Sequence, residues 1–143
     1  MIQRIQSILM LLASGFLGLE FVFPFASTNQ VGSGYFSDTI FNIFDNNILL
    51  GIVVLGAVLC IVSIFLFKNR KLQTSINWLT VLLCIGLLGA SYLLLSGDQS
   101  GSLSDADIGI GSFLPVVSLI LLLVSNRFIN KDENLVKSMD RLR

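Results

Sequence analysis

Four apolar stretches alternate along the chain with shorter polar ones. The first covers about residues 5–23 and stops at Pro24, which lacks an N–H and disfavours helix in the residue before it. The second, about 48–67, is broken only by Gly51, Gly56, Cys60 and Ser63, and ends on Lys68, Asn69, Arg70 and Lys71. The third, about 76–95, begins through Asn77, Trp78 and Thr80, with the indole suited to the headgroup level. The fourth, about 113–129, carries Pro115 in its first turn, where a missing N–H costs nothing. As helices these stretches measure roughly 25–30 Å, enough to cross a bilayer. The pattern predicts an all-α membrane protein, a four-transmembrane-helix bundle forming one integral domain over residues 1–143. A basic start (Arg4) and small residues at Ala26 and Ser27 also fit a cleaved signal peptide, but Pro24 stands where cleavage wants a small residue. The first span is expected to be retained.

Composition narrows the function classes. Of 143 residues, 54% are hydrophobic and 13% charged, about half the charged share of a soluble domain, and the mean hydropathy is +0.85. A soluble enzyme, a disordered chain and a disulfide scaffold are excluded. The chain has no histidine, which removes a His-based triad, a His-ligated metal or haem, and a His proton relay. No catalytic residue, cofactor, metal site or nucleic-acid partner is expected.

Charge gives the expected orientation. Arg4, Lys68, Arg70, Lys71, Arg127, Lys131, Lys137, Arg141 and Arg143 are the nine basic residues. All lie at the N-terminus, between spans two and three, or from the end of span four onward. The other two connections have none, carrying Asp38, Asp45, Asp98, Asp105 and Asp107, with Glu20 at the outer end of span one. The positive-inside rule predicts both termini in the cytoplasm of a bacterial inner membrane.

The connections and the tail offer surfaces. Residues 24–47 form a first periplasmic loop expected to be partly ordered. Its aromatic, β-branched run fits a strand or hairpin, while Ile40, Phe41 and Phe44 fit an interfacial helix. Tyr35, Phe36, Phe41 and Phe44 either rest on lipid or meet a partner. Residues 96–112, rich in Gly, Ser and Asp, read as a flexible, solvated loop. In the tail, 130–143, Leu135, Val136, Met139 and Leu142 fall at helical spacing, and Glu133 and Lys137 make a favourable i,i+4 pair. They predict a cytoplasmic helical extension of span four that packs on the neighbouring loop or on a partner.

Few residues suggest chemistry. Cys60 and Cys84 would lie at similar depth in adjacent spans, which invites a membrane thiol oxidoreductase, yet the chain has no Cys-x-x-Cys pair. They read as small buried hydrophobes. Glu20, a glutamate in the first of four helices, resembles the proton-trading acid of small multidrug exporters. Its nearness to Pro24 instead predicts a solvated, interfacial carboxylate. Ser14 with Gly18, and Gly86 with Ala90, are small-xxx-small pairs expected at close helix contacts.

The opening Met1-Ile2-Gln3-Arg4-Ile5-Gln6-Ser7 and Phe23-Pro24-Phe25-Ala26 resemble a family of small membrane proteins from Bacteroidota. So do Phe113-Leu114-Pro115, Asn126-Arg127, Lys131-Asp132-Glu133 and Leu135-Val136, with Ser138, Asp140, Arg141 and Arg143. That family is catalogued as a domain of unknown function with four membrane helices. The resemblance implies a Gram-negative inner-membrane protein and no activity or site. The expected function is therefore non-enzymatic: an accessory or scaffold protein, held in the lipid bilayer and associated with another membrane protein or with copies of itself. A small transporter or channel subunit is the alternative, and a membrane thiol enzyme comes third.

Overall fold

The computed structural model describes residues 2–28, 39–67, 69–97 and 106–140. Four helices, α1 (Ile2–Leu19), α2 (Asn47–Phe65), α3 (Arg70–Gly97) and α4 (Leu114–Asp140), are joined on one side by three short strands. Those are β1 (Ala26–Thr28), β2 (Ile40–Phe41) and β3 (Ala106–Ile108). The apolar segments Asn47–Phe65, Arg70–Ser96 and Ile110–Leu135 are long enough to cross a membrane, while the apolar part of α1, Ile5–Leu19, is shorter.

Local chemistry explains where these elements begin and end. α1 closes four residues before the expected boundary at 23. Glu20, Phe21 and Val22 donate back three residues to Leu17, Gly18 and Leu19, tightening the last turn ahead of Pro24. α2 starts where Asn46 Oδ1 accepts from the Ile48 amide at 2.8 Å. α3 begins at Arg70 rather than near 76, because polar residues extend a helix as readily as apolar ones. The Gln73 amide donates to Asn69 O at 3.0 Å, while the Thr74 and Ser75 hydroxyls donate to the carbonyls of Arg70 and Lys71, both at 3.0 Å. α4 continues without a break to Asp140, so the expected extension beyond span four is helical.

Consecutive helices run antiparallel, and α1 and α3 each pack on both α2 and α4. The N-terminus, the α2–α3 turn and the end of α4 share one end of the molecule; the strands cap the other. Two apolar clusters fill the interior. Met10, Ala13, Leu17, Cys60, Val81, Cys84 and Leu122 form the one farther from the strands. Phe25, Ala26, Phe41, Ile43, Leu49, Val53 and Leu87 join the helices to the cap. Leu11, Leu82 and Phe65 stay outward and exposed, a distribution suited to lipid.

The cap settles an alternative that the sequence leaves open and corrects one expectation. Among the described residues, the α1–α2 connection takes the strand alternative and not the interfacial helix, and the α3–α4 connection is not loop throughout. Ile40–Phe41 is a strand, followed by one 3-10 turn at Ile43–Asp45. Ala106–Ile108, expected to be solvated loop, is the third strand of an antiparallel sheet in the order β2-β1-β3. Ala26 faces Phe41 on one side and Ile108 on the other. Thr39 enters β2 at φ 64°, an uncommon backbone for a β-branched residue, and its carbonyl accepts from the Thr28 amide at 2.8 Å.

Candidate functional site

The polar residues that the helices turn inward are the chemistry of this molecule. On α3, Gln73, Asn77, Thr80, Cys84 and Ser91 recur at three- or four-residue steps, apart from one longer gap, and all are buried. Ser63 reaches them from α2, with its hydroxyl donating to Asn77 Oδ1 at 2.7 Å, and Gln73 Nε2 donates to Ser63 O at 3.1 Å. The Asn77 and Gln73 amides also approach Met10 Sδ on α1, at 3.5 and 3.8 Å. From α4, the Ser118 hydroxyl donates to Ala13 O at 3.1 Å. Near the end that holds the α2–α3 turn, Gln6 Nε2 donates to Asp132 Oδ2 at 3.4 Å. Ser125 Oγ, both amide atoms of Asn126 and one guanidinium nitrogen of Arg70 are buried without a partner.

Glu20 is placed differently from expectation. Its side chain is 2% exposed, and neither carboxylate oxygen has a hydrogen-bond partner among the described residues. The proximity of Pro24 suggested a solvated carboxylate, but the side chain lies in the interior, and after Pro24 the chain turns into the cap, where the rings of Phe25 and Phe41 lie 6.0 Å apart. The cap is a long-range structure, and hydropathy near Pro24 carries no trace of it. The inward polar face of α3 did have a sequence signal: Gln73, Asn77 and Thr80 at helical spacing ahead of an apolar run.

A cavity of about 400 Å³ lies beside the cap, between Phe25 and Ile108 on the strand side and Leu88, Ser91, Tyr92 and Leu95 of α3. Its walls are mainly apolar, with serine hydroxyls from α3 and from Ser112.

Other expected site residues divide. Phe41 is fully buried and contributes to the cap's core, so it is not a partner surface; its outward neighbour Phe44 is 60% exposed, against Phe21. Tyr35, Phe36 and Leu142 lie outside the described residues, and Met139 continues the helix of α4. Leu135 is half-exposed, and Gln6–Asp132 ties the α4 extension to α1. Two glycines expected at close helix contacts stand clear of side chains from neighbouring helices. A Cβ at Gly18 or Gly86 would meet nothing within 4 Å, Gly86 is exposed, and Ser14 and Ala90 are half-buried. Close approach occurs at Gly56 instead, where an added Cβ would stand 3.3 Å from Leu17 Cδ1.

Cys60 and Cys84 are free thiols in one apolar cluster. Replacing both with alanine removes one sulfur atom from each packed site and is expected to cost about 1 kcal/mol apiece while leaving the fold intact. Thermal unfolding in detergent checks this. A reduction-sensitive mobility shift in the wild type, lost in either single variant, would point to thiol chemistry. Among the described residues no three Cys, Asp or Glu side chains gather as a metal site.

Residues 2–142 match the family described as Domain of unknown function (DUF4293). No curated protein matches the chain, and no solved structure does.

Proposed function

Because the chain belongs to this family of domains of unknown function, we propose a role from its own residues: a non-enzymatic accessory or scaffold protein of the bacterial inner membrane. In this reading α1 joins the three longer apolar helices as a fourth span of a membrane bundle, and both termini are cytoplasmic. Among the described residues Arg70, Lys71, Arg127 and Lys131 support it, since they lie toward the end holding the α2–α3 turn while Asp45 and Asp107 mark the cap.

The observation that carries the scaffold reading is the cap itself. It is an ordered unit seated on the helices, yet its rim leaves Phe44, Ile108, Ile110 and Phe113 each at least 60% exposed. Apolar side chains held on an ordered cap of strand and 3-10 turns are suited to meeting another membrane protein or a second copy of this chain at the bilayer surface. Purification in native detergent tests this. A stoichiometric companion, or a stable homo-oligomer, should be retained by the wild type and shed by Phe44→Glu with Ile110→Glu. A monomer alone in both preparations would overturn the reading. The second reading, a small transporter or channel subunit, is favoured by the buried, unpaired carboxyl of Glu20.

Orientation is tested separately. In a background of Cys60→Ala and Cys84→Ala, an impermeant thiol reagent applied to intact cells with a permeable outer membrane should label Ser100→Cys and spare Ser138→Cys. Labelling at Ser138→Cys from the periplasmic side would reverse the proposed topology.

A further inference from the structure

We infer that Glu20 is a cation-exchange site, taking its counter-charge from outside the chain as a proton or a monovalent cation through the polar interior that leads to the α2–α3 turn. This goes beyond the scaffold reading and does not depend on it.

The first ground is the absence of any internal counter-charge. No Lys or Arg occurs between Arg4 and Lys68, or between Lys71 and Arg127. Along α1, Arg4 stands about 24 Å from Glu20. Around the carboxyl, α3 contributes Cys84, and α2 contributes Cys60 in the same cluster; both are uncharged thiols. The first turns of α4, from Leu114 to Ser118, hold no titratable residue, and Asp45 and Asp107 of the cap face outward, exposed. An isolated carboxylate taken out of water carries a penalty of several kcal/mol unless it is paired and hydrogen-bonded. Among the described residues neither oxygen of this one has a hydrogen-bond donor.

The second ground is a route. From the α2–α3 turn inward, Arg70, Asn126, Ser125 and Gln6 are followed by Gln73, Ser63 and Asn77, then Thr80 and Cys84 at the level of α1's last turns. Every helix contributes. The unpartnered atoms of Arg70, Ser125 and Asn126 sit at the entrance, where buried polar groups without protein partners are satisfied by water. On the opposite side Phe25, Phe41 and Ile43 close the interior with apolar side chains. The carboxyl thus stands toward the cap end of a line of inward polar side chains that borders the apolar cluster. A purely structural side chain at this position would be better served by leucine.

The full-length protein in lipid nanodiscs tests the inference with two probes, protons and sodium. Infrared difference spectra should show a carboxylic-acid band that changes between acidic and alkaline buffer, or on adding sodium at fixed pH, and that is lost in Glu20→Gln. A hydrophobic carbodiimide should modify Glu20, mapped by peptide mass in the wild type, so the assignment does not require the variant to fold. A response to pH alone identifies the proton, and protection by sodium at fixed pH identifies a metal cation. A Glu20 that reacts with neither probe is a sealed structural carboxyl and overturns the proposal. Thr80→Val removes one hydroxyl that bonds only its own helix, to Ile76 O at 3.0 Å, and should slow the exchange several-fold. An unchanged rate would overturn the route.

Discussion

Gly111→Ala is expected to unseat the cap, costing about 1–3 kcal/mol or more, the range typical of overpacking at a site that cannot relax. The added Cβ would stand 2.6 Å from Pro24 O and 2.7 Å from Phe23 O, both backbone atoms that no rotamer change can move. Gly109, two residues earlier, is pressed on the Pro24 carbonyl in the same way. These contacts exist because the segment is laced onto residues 24 and 25. The Gly109 amide donates to Phe25 O at 2.8 Å, the Gly111 amide to Pro24 O at 2.9 Å, and the Ser112 hydroxyl to Phe25 O at 2.6 Å. Forcing that lacing apart exposes Phe25, now fully buried. Amide exchange at residues 26–28 and 109–112 should rise sharply, with little change in α2. Gly89→Ala is the control, since its Cβ would meet nothing within 4 Å. Wild-type protection in Gly111→Ala would show that the two connections are not joined in this way.

Asn77→Leu should destabilise the helix assembly by about 1–3 kcal/mol, because it takes the short-range partner from the fully buried Ser63 hydroxyl. The leucine is close in volume to the amide it replaces, so lost packing is the smaller effect. Ser63 Oγ, 2.7 Å from Asn77 Oδ1, would keep only a long 3.5 Å approach to Gln73 O. Adding Ser63→Ala should recover part of the loss, since removing both partners leaves nothing unsatisfied. Couplings of this kind between membrane helices average about 0.6 kcal/mol and reach about 1.7. A double-mutant cycle on unfolding free energies in mixed micelles measures it, and strictly additive single effects would show that the bond contributes nothing.

Hydropathy locates the helices because an apolar run and a lipid-facing helix are nearly the same object. It places helix ends poorly, because those depend on capping and turn chemistry. Asn69 and Arg70 start α3 with polar side chains, and Leu17 to Leu19 close α1 through amides of the following turn. Composition also hides what a helix turns inward. α3 has Gln73, Asn77 and Thr80 within its span, and their spacing announces a buried polar face only once neighbours are known to cover it. Glu20 and Phe41 are misread for the same reason. Both lie in stretches that look superficial in sequence and are buried in the fold, Phe41 against Phe25 and the helix core. β3 is the extreme case, since three residues among Gly, Ser and Asp have no strand pattern of their own and gain one from β1.

The strand order places β1 in the middle of the sheet, and that has a consequence for how the protein is made. Synthesis delivers β1 first and β2 soon after, but the second edge of β1 waits for β3, which arrives only after α2 and α3 have both been completed. Until then Ser27 and Thr28 present an open edge. Closure of the sheet therefore waits on the far half of the chain: its last hydrogen bonds, between β1 and β3, can form only after Ala106–Ile108 has been made, and a chain halted before Ala106 leaves that edge open.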